Sequence, residues 1–234
     1  MCKQMLWPDR EAKRIVGQLG DRKEVILQTG FGPSGLPHIG TYGEIVRTEF
    51  VAIALKDLGF KPRIISFLDD LDGLRKVPGG FPSWLSEYLG RPVSDIPDPF
   101  GCCESFSKHM HKKLVEMIAE THVECDYVFS SEEYNRGTFN EAIEMVMNNV
   151  ETLKKMVVPM LSDEVGAKWF PFFAKCENCG KLYTTRVTAY DVDHETVDYA
   201  CDGEFGEVSG CGHQGTASYL NGAGKFPWRV DWPA

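Results

Sequence analysis

The stretch Thr29-Gly-Phe-Gly-Pro-Ser-Gly-Leu-Pro-His-Ile-Gly-Thr41 decides the fold. An apolar run, Val25-Ile26-Leu27, precedes it, and an apolar-periodic segment from Glu44 to Leu58 follows. Strand, glycine-rich turn and helix in that order present backbone N–H groups and a helix N-terminus to a phosphate. Pro33 and Pro37 stiffen the connection, and His38 with Gly40 falls where the helix begins. An imidazole at a phosphate site points to phosphoryl-group chemistry. The spacing Gly30-x-Gly32-x-x-Gly35 also matches the dinucleotide fingerprint. That fingerprint needs its third glycine inside the first helical turn and an acidic residue about 20 positions on, at the next strand's end. Pro37 delays the helix, and the residue near that offset, Glu49, lies within the helical pattern, so the dinucleotide reading is set aside.

Working outward, Ala12, Ile15, Val16 and Leu19 predict a short amphipathic helix before Gly20, and Arg63–Phe67 a second strand. Residues 78–104 are rich in Pro and Gly and leave the sheet. Phe106, Met110, Leu114, Met117 and Ile118 mark a helix, and Tyr127-Val-Phe129 a returning strand. Thr138-x-x-Glu141 reads as a capping box for one helix carrying Phe139, Ile143, Val146, Val150 and Leu153. From Phe170 to about Gly215 the pattern changes to short strands around cysteines.

Bulk properties bound the function. The 234 residues are 43% hydrophobic and 25% charged, with a net charge of −9, so bulk electrostatics do not favour nucleic acid, although a local basic strip is compatible with it. No window approaches the roughly 18 apolar residues of a membrane span, and the charged N-terminus does not resemble a secretion signal. Eight cysteines without such a signal favour metal binding or free thiols over disulfides. The expectation is a cytoplasmic protein with no membrane partner.

Cys176-x-x-Cys179-Gly reads as a zinc knuckle, with Cys201 and Cys211 lying 22 and 32 residues beyond Cys179 and His213 as an alternate ligand. No thioredoxin-like context argues for redox work there. Asp98, Cys102, Cys103 and His109 could close a second tetrahedron, with two buried free cysteines as the plainer reading. Asp69, Asp70 and Asp72 follow the second strand, where open α/β sheets bind ligands; such carboxylates suit a substrate ammonium, or form a solvated turn paired with Arg75 and Lys76.

Together, the Thr29–Thr41 stretch, Phe67-Leu-Asp-Asp-Leu-Asp-Gly-Leu-Arg-Lys-Val-Pro78, Asp98-Pro-Phe-Gly101, Cys176-x-x-Cys179 and Phe226-Pro-Trp-Arg-Val-Asp-Trp232 resemble the class I lysyl-tRNA synthetase family, collinearly over nearly the whole chain. The resemblance implies an α/β Rossmann-like nucleotide-binding domain with a HIGH-type motif and an inserted helical and zinc-ribbon module. The corresponding segments are 1–77 for the first half of the catalytic domain, 78–169 for the helical insertion, 170–215 for the zinc module and 216–234 for the start of the second half. It implies ATP, magnesium and zinc as cofactors, and L-lysine and tRNA(Lys) as partners.

Residue by residue, the resemblance puts His38, Gly40 and Thr41 in catalysis, with Thr41 standing where the family often has a second histidine. Gly32, Pro33, Ser34, His38 and Gly40 would hold ATP; Gly30, Gly32, Asp69, Asp70 and Trp228 would hold lysine. From residues alone, Trp228 is a core aromatic. The family also carries a metal cluster at the Asp98–His109 segment, commonly with histidine at the Cys103 position. No Lys-Met-Ser-Lys-Ser-like string occurs, so the chain reads as an N-terminal portion not expected to complete adenylation alone. A synthetase for glutamate or arginine, or a non-catalytic zinc-bearing RNA-binding remnant, are the alternatives.

Overall fold

A computed structural model describes residues 5–121 and 123–231. Helix α1 (Trp7–Leu19) stops at Gly20, whose φ of +59° suits a residue without Cβ. Then follow β1 (Glu24–Phe31), α2 (Ile39–Asp57) and β2 (Lys61–Leu68). After two short 3-10 turns come α3 (Phe106–Ala119), β3 (Asp126–Phe129) and α4 (Ser130–Arg136). The expected βαβ unit and the returning strand are both present. Strands β1, β2 and β3 form one parallel sheet in that order, with Phe31 opposite Leu68 and Leu68 opposite Phe129. All three strands therefore end level. The residues that leave them, Gly32, Asp69 and Ser130, emerge at one sheet edge, where ligands of open α/β sheets bind.

Aliphatic burial holds this half together. Ile45, Leu68, Leu74, Leu85, Phe106, Met110 and Leu114 are 0% exposed and share one core. Ser105 caps α3 by accepting from the Lys108 N–H at 3.3 Å.

Two expectations about the next segment are corrected. Thr138 does not cap a helix: its hydroxyl donates to Glu133 at 2.6 Å, and α5 (Asn140–Met147) begins after Phe139 without a side-chain cap. The long helix is also divided, with α6 (Val150–Val157) starting afresh. Asn148 and Asn149 donate through their side-chain amides to the carbonyls of Glu144 and Met145 at 2.8 Å. Such local bonds compete with the helical ladder.

After the short α7 (Asp163–Gly166) the strands become brief: β4 (Phe173–Ala174), β5 (Arg186–Asp191), β6 (Thr196–Ala200), β7 (Glu204–Phe205), β8 (Val208–Ser209), β9 (Gln214–Ser218) and β10 (Gly224–Lys225), with α8 (Trp228–Asp231) last. Strands β5, β6 and β9 make one antiparallel sheet, while β4 pairs with β10 and β7 with β8. The pairing runs past residue 215: β9 ends at Ser218, and β10 returns to β4. No described helix is long and apolar enough to cross a membrane.

Candidate active site and metal centres

The sheet edge opens into a cavity of about 710 Å³ lined by Gly30, Gly32, Ser34, His38, Gly40 and Thr41 from the β1–α2 connection, with Glu44 one turn further along α2. Pro33 is buried and is not part of the lining. His38 is the N-cap of α2, and its Nδ1 accepts from the Gly40 N–H at 3.0 Å. In the neutral ring the proton then lies on Nε2, which is left to donate outward. Gly40 leaves room for this cap: a Cβ there would fall 2.8 Å from the imidazole and push the ring aside. The cap thus aims an N–H donor and a helix N-terminus into the same space.

A second space of about 600 Å³ shares Gly30, Phe31, Gly32, Glu44, Asp72 and Arg75 with the first, so the two form one cleft. Its other walls are largely apolar, including Phe67, Trp169, Phe173, Tyr183 and Phe205, with Asp69 among them. Lysine stems and ring systems suit such a wall; ammonium groups suit its carboxylates.

The three aspartates after β2 have three different fates. Asp70 is 1% exposed and lines neither space. It accepts from Ser130 Oγ at 3.0 Å, Ser131 N at 2.8 Å and Ser131 Oγ at 2.7 Å, which ties β2 to α4. Burial raises its pKa, while these donors pull it down. Its geometry is that of a structural anchor rather than of an ammonium ligand. Asp69 grips the buried Lys225 with both oxygens, at 2.7 and 2.8 Å. Burial pushes the Asp69 carboxyl up to about 6 against the pull of Lys225, with Asp72 and Asp231 adding like charge. Asp72 faces both spaces and accepts from the Tyr183 hydroxyl. The Trp228 side chain lies outside the described part of the molecule.

Sequence reasoning missed Glu44, whose Oε1 accepts from the Gly30 N–H at 3.4 Å and which lines both spaces. Its signal was position: it follows His38 by six residues on the helix that His38 caps. Arg75 and Lys76, the cations of the solvated-turn alternative, line the first space, and Arg75 the second as well. The cation among the aspartates is Lys225, which had no sequence signal at all.

Both predicted ligand groups are brought together. Cys176, Cys179, Cys201 and Cys211 place their sulfurs within 4.8 Å of one another. The Cys176–Cys211 and Cys179–Cys201 separations are both 3.7 Å. A tetrahedron with Zn–S bonds of about 2.3 Å has edges of about 3.8 Å, so the sulfurs fit that ion. The cluster draws its fourth member from Cys211, because His213 instead pairs with Glu177 at 2.7 Å. Asp98, Cys102, Cys103 and His109 also lie within 4.8 Å. Here Asp98 accepts from the N–H groups of Cys102 and Cys103 at 2.8 Å and sits 3.2 Å from His109 Nδ1.

The chain matches the family of class I (K) tRNA synthetases over residues 5–234. It is 39% identical to a lysine–tRNA ligase of Cenarchaeum symbiosum, over 97% of this chain and 45% of that protein. It is 39% identical to one of Natronomonas pharaonis, over 99% of this chain and 45% of the relative. A lysine–tRNA ligase 1 of Methanosarcina acetivorans is 34% identical, over 98% of this chain and 41% of the relative. The chain thus spans less than half the length of the curated relatives it matches.

Proposed function

Because the chain belongs to the family of class I (K) tRNA synthetases, we propose that it carries the amino-acid-activating cleft of a lysine–tRNA ligase. One observation carries this reading: a helix N-terminus capped by His38 and an acidic, apolar-walled space share a single cleft. Triphosphate and amino acid would meet where the two spaces join, at Gly30–Gly32. In the reaction, a lysine carboxylate oxygen attacks the α-phosphorus of ATP and pyrophosphate leaves, giving lysyl-adenylate for transfer to tRNA(Lys).

His38-Ile39-Gly40-Thr41 then serves as the HIGH-type motif. His38 Nε2 and the first N–H groups of α2 donate to phosphate oxygens that gain charge as pyrophosphate departs, an electrostatic contribution that grows toward the transition state. Arg75 and Lys76 add positive charge along the same wall. Magnesium, when bound, neutralises the phosphates. Gly30 and Gly32 let the backbone approach the ligands closely, and Glu44 and Asp72 receive ammonium groups. Cys176, Cys179, Cys201 and Cys211 would hold zinc with four protein ligands, the mark of a folding role; the Asp98–His109 group is proposed as a second such site.

The charge of the cleft also selects among alternatives. Glutamate would meet carboxylates of its own sign, whereas lysine and arginine would not. Calorimetric titration with L-lysine, L-arginine and L-glutamate, in the presence of a non-hydrolysable ATP analogue, tests the assignment. Lysine is expected to bind at least about tenfold tighter than arginine, a difference of roughly 1.4 kcal/mol. Equal binding of the two, or none for lysine, would sink the lysine assignment.

A further inference from the structure

Lys225 is the most completely buried cation of the described residues, with 1% of its side chain exposed. It is rooted in β10, opposite Phe173 of β4. From there its ammonium crosses to the turn after β2. It lies 2.7 Å from Asp69, 3.5 Å from Asp72 and 3.6 Å from Asp231 of α8. Three carboxylates against one ammonium leave two formal negative charges. The three differ in access: Asp231 is 4% exposed, Asp69 19% and Asp72 33%. Asp231 accepts from the Tyr134 hydroxyl at 2.5 Å, and Asp72 from the Tyr183 hydroxyl.

We propose that Lys225 is a positioning residue of the cleft: its ammonium clamps Asp69, turning it into wall, and leaves Asp72 as the carboxylate that a cationic ligand meets. Burial would lower an isolated Lys225, but the carboxylates of Asp69, Asp72 and Asp231 hold it above its ordinary value, so it stays charged. A desolvated ammonium tolerates little movement of its partners, because each is the other's replacement for water. Asp72 is therefore held at one oxygen, Oδ1, by both Lys225 and Tyr183. The groups that face Lys225 are Asp69, Asp72 and Asp231; Tyr134 donates to the other oxygen of Asp231, whereas Tyr183 and Lys225 meet the same oxygen of Asp72, Oδ1. None of this follows from the cysteine cluster or from the His38 cap.

The identity of the ligand as lysine rests on the reading above; the clamp does not, and the experiment separates them. L-lysine is titrated into the full chain as wild type, Lys225→Met and the double variant Asp69→Asn/Lys225→Met, with melting curves for each. The double variant removes the buried pair together and is expected to regain most of the lost stability. Lysine binding is nevertheless expected to stay roughly tenfold weaker or worse in it, since a carboxylate displaced by about an ångström no longer meets its ligand. Binding that recovers along with folding would make Lys225 merely structural and overturn the proposal. If the wild type binds no lysine, the ligase reading fails, and side-chain carboxyl NMR still judges the clamp. An Asp72 carboxyl resonance that shifts in the folded double variant supports it; one that does not change overturns it.

Discussion

The parallel half of the molecule and its cysteine-bearing half reach order by different physics. Strands β1 and β2 run eight residues each in unbroken register and are covered by α2, of 19 residues, and α3, of 14. Long elements with an apolar face can hold one another by burial alone. Strands β4, β7, β8 and β10 have two residues each. Pairs that short are not stable by themselves. That half borrows core from α4 and α5 through Tyr134, Ile143, Phe172 and Tyr219, and adds a ring of four sulfurs and a buried ionic node. Where there is too little apolar face to bury, buried charge supplies order, and the four sulfurs would add to it by holding a metal. The cleft lies between the two regimes.

Metal removal should separate them most. Structural zinc contributes on the order of 10 kcal/mol of binding free energy to a fold that depends on it. Chelation, or Cys176→Ser, is expected to abolish hydrogen-exchange protection across β5, β6 and β9 while β1 and β2 keep theirs. Uniform loss across both halves would break the comparison. The Asp98–His109 group should resist chelation better, since Asp98 already accepts from two backbone N–H groups there.

The ionic node comes next. Lys225→Met strands carboxylates and should cost about 3–5 kcal/mol in urea unfolding. The pH dependence of the node sharpens the point. The Asp69 carboxyl is raised from 3.8 to about 6, so the folded chain holds a proton that the unfolded chain releases. That preference favours the fold fully below the unfolded value of 3.8 and is lost as pH rises through about 6. Asp69→Asn should therefore gain stability relative to wild type over that window; a constant difference across it would count against the burial, and the like charge of Asp72 and Asp231, that raise Asp69. The smallest effect belongs to the parallel half. His38→Ala removes one N-cap and should cost about 1 kcal/mol, leave the cysteine module untouched, and weaken binding of the ATP analogue.

Local chemistry was readable in advance wherever it is written in neighbouring residues. The strand–turn–helix around His38 was evident because backbone geometry demands those glycines and prolines in that order. The four cysteines were evident because thiolates at such spacings have few other uses. Thr138 misled because the same hydroxyl that could cap a helix found Glu133 nearer. Asp70 looked equivalent to Asp69 because both follow β2 directly; only Ser131 of α4 and the ammonium of Lys225 tell them apart.

By itself the sequence determined the βαβ unit, the histidine at the start of α2 and the cluster of four cysteines, because periodicity, turn chemistry and cysteine spacing act over a few residues or along a short module. Tertiary structure alone decided which carboxylate meets solvent, which cation lies among the aspartates, and that Glu44 faces the cleft. Lys225 and Asp69 are 156 residues apart. Nothing local marks such a pair, because a buried charge selects its partner through desolvation, which exists only once the chain has folded around it.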